Sequence, residues 1–428
     1  MRWNRSLALA LTFALVCHAS EDENSRMALL SRVLERMQVV LRRMPNYTCT
    51  ETITRTIGDG TPLHVDTLER LRLQVAIIGG KEVFSWPGAA PFERIDPHDI
   101  VGGGLTGTGD FEGFSHAVLG SDIPEFTTGE EELDGGVQRA IRYEYRVPLK
   151  NSGYRLHAGI DSAIVDYGGA FWVEPASEHV LALEVIADIR RNNIPETLDI
   201  SSAKTRLEYQ YIRSGAGAEE FPFPAASTLT VSHLRASTVT SNRIQFSGCR
   251  EYKSDSSIHF SDASSSVLSE TPTLAKQAPL PGALTLDLAL DAPIRVASSA
   301  AGDAITATLL RPVKVGSMVI PKGAKVSGRV LLFETDLEKN TTHLRLGFSH
   351  LESGGKLFPF RARFVTFRSA PGVAPEGPRH EKWVNLRDIR NASASEWKSQ
   401  ANFTLIGNQA QMVAGFRMEW MTMGEPDN

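Results

Sequence analysis

SRMALLSRVLERMQVVLRRMPNYTCTETITRTI, residues 25–57, contains the change of period that decides the fold. In its first half, Met27, Leu30, Leu34, Met37, Leu41 and Met44 recur every three or four residues and so share one helical stripe. Ser25 is placed to cap this helix, and Glu21, Asp22 and Glu23 suit its positive end. Arg42 and Arg43 suit the negative end, and Pro45 stops the helix. From Tyr47 the period falls to two. Threonine at 48, 50, 52, 54 and 56 gives a strand with one polar, β-branched face. The apolar stripe is predicted to pack on the sheet that follows it.

Downstream, strand-like alternation recurs at residues 71–77, 83–86, 141–147, 163–167, 170–174, 180–189, 205–212, 228–234 and 238–246. One short helix is predicted at 111–119, capped by Asp110. Close spacing of strands with few helical stretches reads as an antiparallel meander. Residues 261–282, rich in Ser, Thr, Ala and Pro, read as a linker, and strands resume at 285. Residues 369–398 read as a long loop. The predicted class is mainly β with an N-terminal amphipathic helix (α+β). A curved antiparallel half-barrel domain is expected over 20–260, a linker over 261–283, and a small β-barrel-like domain over 284–428.

Upstream, residues 1–19 have the three-part layout of a secretory signal peptide. Arg2 and Arg5 precede an apolar run at 6–16, and Cys17-His18-Ala19 offers a small-residue cleavage site. The run is shorter than the roughly 20 apolar residues that span a membrane. The chain is therefore expected to be exported, to a periplasm or the outside, with no membrane-spanning segment in the mature form. A lipid anchor on Cys17 is disfavoured because Val16 precedes it. Losing Arg2 and Arg5 moves the net charge from −5 to −7, and no dense basic stretch remains to hold nucleic acid. Cleavage also leaves two cysteines, Cys49 and Cys249, which in an oxidising compartment are predicted to pair.

The order of leader, amphipathic helix and long meander resembles the periplasmic lipoprotein-carrier (outer-membrane lipoprotein-sorting) fold family. The likeness covers about 24–260 and includes Pro45-Asn46-Tyr47-Thr48-Cys49 and Gly168-Gly169-Ala170-Phe171-Trp172-Val173. It implies a half-open barrel whose apolar cavity holds acyl chains, and no binding residue carries over. Gly302-Asp303-Ala304-Ile305-Thr306-Ala307 and the run 319–330 (VIPKGAKVSGRV) resemble the β-barrel of the type IV secretion channel scaffold family. Within it, Pro321 and Gly323 are expected to reverse the chain between two strands.

Candidate chemistry is sparse. Gly102, Gly104 and Gly107 have dinucleotide-loop spacing, but Asp96-Pro97-His98-Asp99 precedes them and a β-meander surrounds them, so they read as a flexible loop. No His-Glu-x-x-His, paired-cysteine or calcium-loop motif occurs, so no metal ligand or cofactor is expected. No Gly-x-Ser-x-Gly elbow occurs, and no catalytic residue is named. Glu130, Glu131, Glu132 and Asp134 read as a solvated turn. The ligand-cavity candidates are Met27, Leu30, Leu34, Met37 and Leu41 on the helix, with Trp86 and Trp172 as aromatic lining. The function expected is that of an exported bacterial envelope protein, non-enzymatic, binding a lipid-like or apolar ligand or an envelope protein partner. The alternatives are an extracytoplasmic hydrolase and a structural assembly component of the envelope.

Overall fold

A computed structural model describes residues 6–59, 64–79, 81–88, 111–127, 129–134, 138–158, 161–187, 189, 195–214, 219–235, 237–251, 275–276, 278–368, 370–375 and 400–424. Strands dominate, with helices α1 (Ser6–Arg42) and α2 (Phe111–Val118). The large antiparallel sheet is not closed into a barrel. The chain divides into two compact units. One comprises Met1–Cys49, Ala76–Glu82 and Gly107–Tyr252, and the other Thr50–Val75, Val83–Thr106 and Lys253–Asn428.

In the first unit the predicted helix is longer at its start. Helix α1 runs unbroken through Ser25, because residues 20–24 contain neither proline nor glycine to stop a helix that has begun. No described helix is long and apolar enough to cross a membrane. After α1 come β1 (Tyr47–Asp59) and β2 (His64–Ile78). The meander then consists of β3 (Glu130–Asp134), β4 (Gln138–Val147), β5 (Tyr167–Glu174), β6 (His179–Ala187), β7 (Ile200–Ser214), β8 (Glu219–His233) and β9 (Thr238–Glu251). Each pairs antiparallel with the next.

Strand alternation sorts the side chains of this meander. Tyr143, Phe171, Leu183 and Leu207 lie in register across β4, β5, β6 and β7, and they face Leu29, Leu30, Val33, Met37 and Leu41 of α1. Phe111, Phe114 and Val118 of α2 join the same core. The buried Tyr143 hydroxyl donates to the Arg26 carbonyl at 2.7 Å, which pins the helix to β4. Gly169 permits the close approach of β5 to β6, since a Cβ there would lie 2.0 Å from the Glu184 carbonyl oxygen.

The acidic run is a correction to the sequence reading. Glu130–Asp134 is a strand, not a turn, and it places Glu130 opposite Arg142 and Leu133 opposite Arg139 on β4. Glu130 opposite Arg142, and Arg139 3.6 Å from Glu131, set opposite charges across the two strands.

In the second unit, β10 (Thr285–Leu290) pairs with β11 (Ala304–Leu309), which pairs with β12 (Lys325–Asp336) and thence β13 (Thr341–Ser353). Strand β13 then forks. Its first half pairs with β14 (Gln400–Ile406) and its end with Lys356–Pro359. On its other edge β10 pairs with Arg417–Met423, which pairs in turn with Arg361–Phe367. Gly323 adopts the positive φ of a turn, at 93°, but the reversal it serves differs from the one expected. Met318–Ile320 pairs back with Val313–Val315, while β12 pairs with β11.

The two units do not follow the expected contiguous division at 261–283. Residues Thr67–Glu69 of β2 pair with Glu334–Asp336 of β12, so the β1–β2 hairpin belongs to the second unit. Arg70 donates to the carbonyls of Val296 and Ser299 at 3.1 and 3.0 Å, and Arg72 pairs with Asp303. Replacing Arg70 with Met is expected to cost about 1–3 kcal/mol, because two carbonyls lose their donor. Urea unfolding of the variant is the measurement. An unchanged midpoint would show that water replaces the guanidinium freely. Most of the predicted linker, the glycine triad at 102–107, Asp110 and residues 376–398 of the predicted loop lie outside the described residues.

Candidate functional site

Two adjoining features of the first unit surround the C-terminal half of α1. The first is a gap in its packing. Leu41, Met44, Tyr47, Phe111, Glu112, Ser115, His116, Tyr209 and Pro222 enclose a cavity of about 10 Å³. That is room for about one water molecule. Phe111 meets Tyr209 edge-on at 5.6 Å and Phe246 at 5.2 Å, so aromatic rings close the gap from the sheet side. The Tyr209 hydroxyl lies 2.8 Å from Ser115 Oγ. Burial pushes the Tyr209 phenol well above its ordinary pKa and holds His116 below its own. Among the described residues, buried side chains of α1 and α2 pack against this face of the sheet.

The second feature is an open groove of about 530 Å³ on the flank of α1, lined by Arg32, Glu35, Arg36, Val39, Val40, Glu219 and Glu220. Helical spacing sets Arg32, Glu35, Arg36 and Val39 along one side. The start of β8 supplies the two glutamates. Arg32 pairs with Glu178 at 2.7 Å, and Arg36 donates to the Ser177 carbonyl at 2.8 Å. Both contacts reach the turn between β5 and β6, where Glu178 adopts a positive φ of 58°. Glu220 takes an ion pair from Arg213 at 2.9 Å, and this hydrogen-bonded guanidinium keeps its carboxyl below the ordinary range.

His179 stands at the end of this network. Its ring stacks on Tyr211 with centroids 3.6 Å apart and planes 5° from parallel. Its Nε2 lies 3.3 Å from the Arg36 guanidinium and 3.3 Å from Glu220 Oε2. Tyr211 is itself held, because its oxygen accepts from the Val180 backbone N–H at 2.9 Å, and burial raises its pKa to about 12.

The sequence-predicted residues divide three ways. Leu30, Met37 and Leu41 are buried in the core of the first unit, and Leu34 packs partly buried against it. Met27 is 40% exposed, at the margin of the stripe. Only Leu41 of this set borders the gap. The two tryptophans lie away from the gap and the groove. Trp172 follows Phe171 on β5, so it points to the opposite face of the sheet, where Arg206 and Arg142 cover it at 4.6 and 5.9 Å. Trp86 belongs to the second unit, under Arg329 at 5.1 Å. Sequence reasoning missed Tyr209, Tyr211, His179 and Glu220. Their strands were legible, but nothing in a single chain says that residues 36, 179, 211 and 220 converge.

Cys49 and Cys249 are bonded, with sulfurs 2.09 Å apart, and they link the start of β1 to the end of β9 within the first unit. This fits an oxidising compartment. Among the described residues, His64, Asp66 and Glu338 of the second unit could hold a divalent cation, their ligand atoms lying within 4.8 Å of one another. The sequence reading named no metal ligand there. His64 and Glu338 are exposed and Asp66 is half-buried, and His64 Nε2 lies 3.5 Å from Asp66 and 3.6 Å from Glu338.

No family model matches the chain, and no curated protein matches it. Among solved structures, the crystal structure of a DUF1329 family protein from Desulfovibrio piger is similar over 55% of this chain and 95% of its own length. The identity is 11% and the TM-score 0.27, a likeness too slight to carry an argument about fold or function.

Proposed function

We propose that this chain is an exported envelope protein that acts by binding rather than by catalysis, and that its ligand lies in the groove along α1. The observation that carries the reading is the groove's lining, which sets Val39 and Val40 beside side chains of both signs of charge. Such a site suits a single-chain amphiphile. Its stem covers the valines, while a zwitterionic head finds guanidinium at Arg32 and Arg36 and carboxylate at Glu35 and Glu219. The sequence alone suggested a ligand inside the sheet. A gap of about 10 Å³ is far too small for an acyl chain, so the flank of the helix is the site this reading favours.

Lipid extraction of gently purified protein, read by mass spectrometry, tests the class of ligand. Titration with lysophosphatidylethanolamine below its micelle concentration tests the site. One equivalent is expected to bind. Val39→Glu, which places a charge in the groove at a residue already 41% exposed, is expected to weaken binding about tenfold or more. No extracted lipid together with no binding by the wild type would overturn the reading.

A further inference from the structure

We propose that His179 is a proton-operated latch on α1. When neutral, its Nε2 accepts a hydrogen bond from Arg36 and ties the helix to β6. When protonated, the same nitrogen donates to Glu220 instead, and Arg36 is repelled. As regulation of the groove this rests on the binding reading above, but the latch itself is a property of the fold.

The argument is one of valence. Arg36 and Glu220 both lie 3.3 Å from the same nitrogen. A guanidinium can only donate, and an ionised carboxylate can only accept. An imidazole nitrogen carries either a lone pair or a proton, so it serves one partner at a time. The stack on Tyr211 holds the ring in its plane, so the exchange happens without a ring flip. Protonation would also set a second cation beside Arg36 within hydrogen-bonding distance, a repulsion that pushes the helix side away.

The charged groups around the imidazole come from every neighbouring element. Arg36 faces it from α1 and Glu174 from the end of β5, while Glu220 faces it from β8 with Arg213 of β7 behind. Arg32 and Glu178 pair next to it at the β5–β6 turn. Burial and then Arg36 hold the His179 pKa below its ordinary 6.5, while Glu220 and Glu174 pull upward. The sign follows from linkage. The unfolded chain takes the proton more readily, so the latch's contribution to stability is present above about pH 6.5 and is lost as pH falls below it.

Long-range ¹H–¹⁵N spectra of the intact protein between pH 8 and 4.5 test the latch without any ligand. The neutral ring is expected to carry its proton on Nδ1, leaving Nε2 free to accept. Glu220→Gln is expected to lower the His179 titration midpoint by about half a pH unit or more, and Arg36→Gln to raise it by a similar amount. A neutral ring protonated on Nε2, or a midpoint that neither substitution moves, would overturn the proposal. The lysophosphatidylethanolamine titration at pH 7.5 judges the binding reading separately, so failure of either is distinguishable from failure of the other.

Discussion

Replacing Cys49 and Cys249 together with alanine is expected to lower the melting temperature of the first unit by about 10–20 °C. The two residues are separated by 200 positions. In the chain-entropy model a crosslink over such a loop restricts the unfolded ensemble by about 5 kcal/mol. In a unit of this size each kcal/mol corresponds to roughly 2–4 °C. The link also acts where β1 passes from one unit to the other, since Cys49 is the last residue of the first unit before Thr50 begins the second. Calorimetry with and without reductant is the check. The wild type under reducing conditions should melt like the double variant, and the variant should ignore the reductant. A reduced wild type that melts within about 2 °C of the oxidised one would show that the fold already confines the two ends.

The second large effect is expected from Val33→Asp. Val33 is fully buried and faces the aromatic row of the sheet. A carboxylate there has no partner and no water, a mechanism that costs about 4 kcal/mol or more. Because the tyrosine and phenylalanine face of β4 and β5 is covered by α1, undocking the helix should uncover it. The variant should bind the dye 8-anilinonaphthalenesulfonate and lose near-ultraviolet circular dichroism while keeping much of its strand signal. Val33→Ala, which leaves the site apolar, should cost only about 2 kcal/mol and bind no dye. If Val33→Asp stays closed to the dye and melts like the wild type, the helix is not what covers the sheet.

Much of this architecture was legible because its signals are local. The change from helical to two-residue period at Pro45–Tyr47 is written in adjacent residues, and so is the alternation along β4, which buries Ile141, Tyr143, Tyr145 and Val147. The short helix at 111 and the pairing of the two remaining cysteines followed from equally simple rules. The departures from the sequence reading have physical causes. Glu130–Asp134 looked like a turn because charge dominates its composition, yet it pairs residue by residue with β4, with Glu130 opposite Arg142. Trp172 looked like cavity lining because large aromatics usually face a core. Strand alternation turned it away once Phe171 took the inward position, and two arginines then covered it.

By itself, then, the sequence determined the elements of this protein: an amphipathic helix, an antiparallel meander, and a cysteine pair suited to an oxidising compartment. These depend on period and composition, which are properties of neighbours along the chain. Only the tertiary structure decided which elements meet. It sent the β1–β2 hairpin to the second unit through three residue pairs with β12. It packed α1 and α2 against one face of the first sheet, and it gathered Arg36, His179, Tyr211 and Glu220 at the flank of the helix. Those residues lie on four separate elements, and their convergence depends on strand register and helix docking, which no local pattern encodes.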